Sequence, residues 1–295
     1  MRILITGATG FIGNAVAMRL SEEHEIWCTL RKTSDVLSVK NIKCKILYVD
    51  NRDSIYSELE KIKPEMVIHL AGVFLSEHSR KNIGGMIDSN IQFPTILFDA
   101  AYEAGCRKYI NTGSCWQNYQ GDTYNPVNLY AATKQAVEDI LKYYVYVGDS
   151  KAITLSIFDS YGPNDARRKI LNIVAKLNDG EHIDMSGGEQ KMYLCYIDDI
   201  VNAYIQSIAL LEKMEDGEYK KYAVRDEQAY SLKDIITLYL TLSKKNVSVN
   251  WGVRAYRNRE IMDPSGWGDI LPGWKVQYPL KTGMKMYVAN NEEKL

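Results

Sequence analysis

Thr6-Gly7-Ala8-Thr9-Gly10-Phe11-Ile12-Gly13 decides how this chain folds. It follows the apolar run Ile3 to Thr6 directly and opens an amphipathic pattern that continues to Leu20. Between a strand and a helix the three glycines have separate tasks. Gly7 permits the tight turn, Gly10 lets backbone N–H groups approach a pyrophosphate, and Gly13 lets helix and strand pack closely. The helix N-terminus turns the positive end of its dipole to the anion. Turn chemistry alone does not call for three glycines at this spacing. Gly7, Thr9, Gly10, Phe11, Ile12 and Gly13 are therefore expected to hold a dinucleotide.

Outward from this turn, short apolar runs alternate with helical patterns. Ile3 to Thr6, Ile26 to Leu30, Ile46 to Val49, Met66 to Ala71, Tyr109 to Asn111 and Ile153 to Phe158 read as strands. Runs such as Met66-Val67-Ile68-His69-Leu70 are apolar on successive residues, as parallel strands covered on both faces are. The pattern predicts an α/β fold: a Rossmann-type doubly wound parallel sheet with right-handed crossovers and a smaller C-terminal α/β substrate lobe. Beyond Tyr161 the rhythm breaks into helices near Lys169 to Leu177, Ile200 to Leu211 and Ser231 to Leu242. The last of these opens on an N-cap pattern, Ser231-x-x-Asp234. The final stretch, with Trp251, Trp267 and Trp274, reads as loop-rich. The expected division is a dinucleotide-binding unit of residues 1–165, to which 197–225 return, and a substrate lobe of 166–196 and 226–295.

At the end of the second strand, where an acidic residue often meets the ribose 2′-hydroxyl of NAD, the chain reads Thr29-Leu30-Arg31-Lys32-Thr33-Ser34. Arg31 and Lys32 suit the 2′-phosphate of NADP(H), which is favoured over NAD(H). Asp50 and Asn51 after the third strand are expected to hydrogen-bond the adenine. Leu70, Ala71 and Gly72 after the fourth are expected to pass beneath the cofactor.

Tyr130-Ala131-Ala132-Thr133-Lys134 starts a further helical pattern. At i and i+4 the phenol and the ammonium project from one face. The cation is expected to lower the phenol from its ordinary pKa of about 10 and make Tyr130 an acid/base. Lys134 can also reach the nicotinamide ribose, and Ser114, just beyond the strand Tyr109 to Asn111, can hydrogen-bond a substrate oxygen as it gains charge. Ser114, Tyr130 and Lys134 are the expected catalytic set.

In this order, these residues make the chain resemble the extended short-chain dehydrogenases, the NAD-dependent epimerase/dehydratase family, over nearly its whole length. Asn90-Ile91 followed by Leu97 to Ala101, Tyr161-Gly162-Pro163-Asn164-Asp165, and Tyr196-Ile197-Asp198-Asp199-Ile200-Val201-Asn202-Ala203 belong to the resemblance. Gly187-Gly188-Glu189-Gln190 and Arg257-x-x-Glu260-Ile261-Met262 look most like the abequose and paratose synthases, which reduce 4-keto deoxysugars attached to a nucleoside diphosphate. The resemblance implies NADPH-dependent reduction at C4 in surface-polysaccharide synthesis. It adds Asn90 and Tyr161 as cofactor contacts, Trp116, Lys191 and Arg257 beside Ser114 as substrate contacts, and a homodimer formed by the helix of Tyr130 and the helix near Ile91 to Ala104.

Departures from the family pattern narrow the chemistry. Met192-Tyr193-Leu194 stands where members usually carry Arg-Asp-Phe, which leaves a diphosphate to Lys191, Arg257, Arg167 or Arg168. Ser156 stands where the family often has arginine and Asp159 where it often has asparagine. Cys115-Trp116-Gln117-Asn118 holds no acid, so dehydration lacks its extra acid/base pair. Cys115 is one residue off the cysteine used for double epimerisation and reads as a loop thiol. NAD-dependent 4-epimerisation is the enzymatic alternative; a non-catalytic NADP-binding sensor is the alternative of another class.

Bulk composition excludes other partners. A net charge of −1 and a pI of about 6.5 give no field for nucleic acid. The chain runs from Met1 straight into Arg-Ile-Leu-Ile-Thr, and no apolar run approaches roughly eighteen residues, so no membrane partner and a cytoplasmic location are expected. Five scattered cysteines and four histidines show no ligand spacing, and no metal is expected.

Overall fold

The computed structural model describes residues 1–121, 123–264 and 266–292. Its first half alternates strands β1 (Arg2–Thr6), β2 (Glu25–Leu30), β3 (Cys44–Tyr48), β4 (Met66–His69), β5 (Lys108–Ser114) and β6 (Lys151–Ile157) with helices α1 (Phe11–Leu20), α2 (Ser54–Ile62), α3 (Ile83–Ile87), α4 (Phe93–Glu103) and α5 (Leu129–Val147). There follow β7 (Asp159–Tyr161), α6 (Ile170–Ala175), β8 (His182–Asp184), β9 (Lys191–Met192), β10 (Leu194–Tyr196), α7 (Ile197–Leu211), β11 (Tyr219–Val224), β12 (Tyr230–Ser231), α8 (Leu232–Ser243), β13 (Ser248–Asn250) and α9 (Leu280–Glu292).

Seven strands form one parallel sheet in the order β11-β6-β5-β4-β1-β2-β3. The order reverses between β1 and β4, and a crevice opens beyond their carboxyl ends, the usual ligand position in such sheets. Side chains alternate across the sheet. Leu4, Val67, Tyr109 and Ala152 pack with α2, α4 and α5, whereas Ile3, Ile5, Ile68, Ile110 and Ile153 pack with α1 and α7. Both faces are covered, which is why these strands are apolar on consecutive residues. The second core continues without a break into α8 and α9 through Ile236, Tyr239, Met284 and Tyr287.

Three two-stranded pairs, β7–β10, β9–β12 and β8–β13, hold the remaining segments. The Ser231 hydroxyl accepts from the Asp234 amide at 3.0 Å, the cap expected at the start of α8. Two elements differ from expectation. β5 runs on to Ser114, so the serine ends a strand. The final stretch contains α9, whose helical signal is weakened by Gly283. A Cβ on Gly283 would overlap the Tyr161 phenol, so packing keeps the glycine.

Between α3 and α4 the helix passes through a π turn, Asp88–Gln92. Among the described residues no helix is long and apolar enough to cross a membrane.

Candidate active site

Gly7 has φ +78°, and a Cβ there would stand 2.8 Å from the Ala71 nitrogen and 2.9 Å from the Leu70 carbonyl carbon. β1 and the segment after β4 can touch only through glycine at this point. Gly10 caps α1 with no side-chain hydrogen bond, and the first turn carries no acidic residue, so its amides face the crevice with nothing to compete for an anion. Behind them the Thr6 hydroxyl oxygen accepts from the amides of Leu70 (3.1 Å) and Ala71 (3.0 Å) and lies 2.9 Å from His69 Nδ1. With its acceptor sites taken, the hydroxyl donates its proton to Nδ1, which assigns the His69 proton to Nε2. Burial, and then the charge of Lys134, hold this imidazole well below its usual pKa.

Two cavities meet over this cradle. The larger, about 850 Å³, is lined by Gly7, Gly10, Phe11, Ile12, Gly13, Leu70, Gly72, Ser114, Trp116, Tyr130 and Lys134. The smaller, about 220 Å³, is lined by Gly7, Thr9, Gly10, Arg31, Leu70, Ala71 and Gly72. Because they share Gly7, Gly10, Leu70 and Gly72, they form one trough. It joins the glycine turn to Ser114, Tyr130 and Lys134 at one end and to Arg31 at the other.

Ser114 ends β5 and caps a 3-10 turn, Cys115–Gln117. Its hydroxyl accepts from the Trp116 amide at 3.3 Å and faces the same cavity as the Tyr130 phenol. Tyr130 lies in the first turn of α5, which is capped by Asn128: its side-chain oxygen accepts from the Ala131 amide at 3.0 Å, and its amide nitrogen donates to the carbonyls of Leu75 and Ser76. One turn on, Lys134 Nζ lies 5.9 Å from the Tyr130 ring centre, and a Cβ on Gly72 would stand 3.4 Å from that nitrogen. Lys134 is only 5% exposed. No hydrogen-bond acceptor among the described residues is paired with it.

Burial lowers Lys134 to about 8 and raises the Tyr130 phenol above its ordinary range. A phenol lowered by the lysine is the expectation from spacing; burial, and then the Cys115 thiol, raise it instead, and Arg167 and Ser114 oppose the rise only in part. Burial likewise raises the Cys115 thiol, which leaves it an inert loop thiol.

Other expected contacts lie elsewhere. Asp50 accepts from the Lys32 amide at 2.8 Å, which joins the loops after β2 and β3, and Asn51 accepts from the Asp53 amide at 3.2 Å within its own turn; Lys32 itself does not line the trough. Asn90 donates to the Val73 carbonyl and Thr133 hydroxyl and accepts from the Val73 amide, tying the segment after β4 to α5. Tyr161 is a core residue packed on Tyr196 and Tyr287, and its hydroxyl donates to the Leu280 carbonyl at 3.3 Å. Lys191 pairs with Asp263 at 2.9 Å away from the trough. Arg257 pairs with Glu260 through two bonds, at 2.7 and 2.8 Å, while its guanidinium backs the Trp116 ring at 5.1 Å.

The trough also contains Phe74 and Lys169, which the sequence left unassigned, beside the diphosphate candidates Arg167 and Arg168. Phe74 stands edge-on to Tyr130 with ring centres 5.0 Å apart, touches Trp116, and is 48% exposed. Arg168 and Lys169 line the same end, while Arg167 is committed to Asp165 and Ser160. Loop residues of this kind carry no periodic signal.

Residues 3–224 match the model of the NAD dependent epimerase/dehydratase family. The chain belongs to that family. It is an NAD(P)-dependent enzyme of the extended short-chain dehydrogenase type, and its glycine cradle, uncapped α1 amides and unpaired Lys134 suit a nicotinamide dinucleotide. The epimerase/dehydratase family member is 29% identical over 276 residues to the CDP-abequose synthase of Yersinia pseudotuberculosis, covering 90% of this chain and 92% of that protein. It is 25% identical over 295 residues to the CDP-abequose synthase of Salmonella muenchen, covering 99% and 98%. The solved UDP-glucose 4-epimerase of Thermotoga maritima, with UDP-glucose, shares its fold at a TM-score of 0.83 and 18% identity, over 100% of this chain and 99% of that one.

Proposed function

We propose that this protein is an NADPH-dependent reductase that transfers hydride to the C4 keto group of a nucleoside-diphosphate-4-keto-6-deoxy or 3,6-dideoxy sugar, for surface-polysaccharide synthesis in the cytoplasm. The observation that carries the reading is the single trough, with a cation at its ribose end, the glycine cradle at its middle and Ser114, Tyr130 and Lys134 at its far end. The likeness to CDP-abequose synthases supports the substrate class.

The glycine turn and the α1 amides hold the pyrophosphate, Arg31 the 2′-phosphate, and Lys134 the nicotinamide ribose. When bound, the dinucleotide supplies the hydride. Ser114 holds the carbonyl oxygen as it gains charge, Tyr130 donates the proton to it, and Lys134 offsets the charge left on the phenol. Trp116 and Phe74 offer faces for the sugar ring, and Arg168, free of the ion pairs that occupy Arg167, Lys191 and Arg257, meets the diphosphate. Residues 166–196 and 226–295 are the substrate lobe on this reading, and 197–225 return to the dinucleotide unit. The protein is proposed to be a homodimer through α4 and α5, whose outer end exposes Tyr143, Tyr146 and Val147.

The test is NADPH oxidation, followed by absorbance, with CDP-, dTDP- and GDP-4-keto-6-deoxy sugars. Turnover with one of them, lost in Tyr130→Phe while NADPH still binds, is the expected result. Silence with all of them alongside tight NADPH binding overturns the substrate; interconversion of a UDP-hexose with NAD instead establishes the 4-epimerase.

A further inference from the structure

Ser114 and Tyr130 line the same cavity. Ser114 is tied to α5 through Gln117, which is fully buried. Its side-chain oxygen accepts from the Ser114 backbone amide at 2.9 Å, and its amide nitrogen donates to Glu138 at 2.9 Å and to Gln135 at 2.8 Å. These bonds fix which way the Gln117 amide points, since only its oxygen can accept and only its nitrogen can donate. Gly113 makes room for it: a Cβ there would stand 2.9 Å from the Gln117 oxygen and 3.2 Å from Ser156 Oγ.

Glu138 is 2% exposed and follows Tyr130 and Lys134 at i+8 and i+4, on the same stripe of α5. Burial alone would raise its carboxyl. Lys221 at 2.8 Å, from β11 across the sheet edge, together with Gln117 and with Lys142 at 3.3 Å, holds it below the usual carboxylate range. A buried charge with this many partners is firmly placed, because each would lose its own pairing if the carboxylate moved.

We propose that Glu138 is a positioning residue: through Gln117 it fixes the backbone of Ser114, and so holds the serine hydroxyl against Tyr130. The inference rests on the reading of Ser114 as the group that steadies the reacting oxygen. Without this link the turn that follows Ser114 could pivot against α5; the anchor on Glu138, two helical turns along α5 from Tyr130, removes that freedom. The acid, the ammonium and the buttress of the serine then lie on one rigid stripe, which keeps the serine-to-phenol geometry within the small tolerance catalysis allows.

The test is a set of variants, Gln117→Met, Glu138→Ala and Glu138→Gln, each made alone and with Ser114→Ala. Gln117→Met and Glu138→Ala are expected to lower kcat about tenfold, with KM and NADPH affinity within about twofold. Glu138→Gln, which keeps an acceptor for Gln117, is expected to recover most of that loss. In the Ser114→Ala background the further loss should vanish, as for residues that act through one another. Hydrogen exchange of the Ser114–Asn118 amides, read by mass spectrometry, is expected to speed up in Gln117→Met and Glu138→Ala. Losses that multiply with that of Ser114→Ala, or unchanged exchange, overturn the proposal. If Glu138→Ala fails to fold, Gln117→Met decides alone, since it leaves the Glu138–Lys221 pair intact. If the wild-type protein turns over no sugar nucleotide, the exchange measurement still decides the relay, and the functional reading is what fails.

Discussion

Gly13 lies directly on the carbonyl of Gly7: a Cβ on Gly13 would overlap that oxygen and stand 2.7 Å from its carbon. In an ordinary helix, alanine for glycine stabilises by about 1 kcal/mol. Here the overlap, worth about 1–3 kcal/mol of forced backbone shift, is the larger effect. Gly13→Ala is expected to lower the melting temperature and to weaken NADPH binding more than tenfold by fluorescence titration, on the order of a lost charged hydrogen bond. A variant as stable as the wild type would show that helix and strand can separate without cost.

Arg31 lines the end of the trough remote from Tyr130, and no acidic side chain is paired with it among the described residues. Arg31→Ala is expected to weaken NADPH about tenfold and leave NADH within about twofold. Equal losses for both cofactors would remove the argument for NADP.

Of the cations considered for the diphosphate, Arg168 alone lines the trough without an ion pair among the described residues. Arg168→Ala should raise KM for the sugar nucleotide about tenfold, and Lys191→Ala should change it little. The reverse pattern in steady-state kinetics would move the diphosphate to the Asp263 side.

Lys134 is lowered from 10.5 to about 8 by burial. Below pH 8 the folded chain bears the whole cost of a desolvated ammonium, about 3 kcal/mol for this shift. Between pH 8 and 10.5 the unfolded chain holds a proton that the folded chain does not, so the contribution of Lys134 to stability rises with pH. Lys134→Met is therefore expected to be more stable than the wild type at pH 7, with the gap closing toward pH 10, while turnover collapses. Urea denaturation of both proteins at pH 7, 8.5 and 10 checks it; a gap that is constant with pH would place the lysine in water.

Local patterns were the legible part of this protein. Glycine spacing, a strand apolar on consecutive residues and the i, i+4 pair Tyr130 and Lys134 depend only on neighbours along the chain, and they gave the sheet and the residues that line one trough. Expected contacts parted from the trough where a side chain had two possible partners and the nearer in space was far in sequence. Tyr161 turns to Leu280 in the core, and Lys191 to Asp263. Phe74 entered the site from a loop with no period to betray it, and the shift of the Tyr130 phenol depended on burial that the i, i+4 spacing does not encode.

The π turn at Asp88–Gln92 bears on any attempt to improve this protein. It accommodates one residue more than an unbroken α-helix from Ile83 to Glu103 would need. Deleting one would give a more regular helix, but it would turn Asn90 by about 100°, away from Val73 and Thr133. The floor of the trough would then come loose from α5. Redesign that rewards helical regularity would thus select, at this turn, a sturdier protein that no longer grips its cofactor.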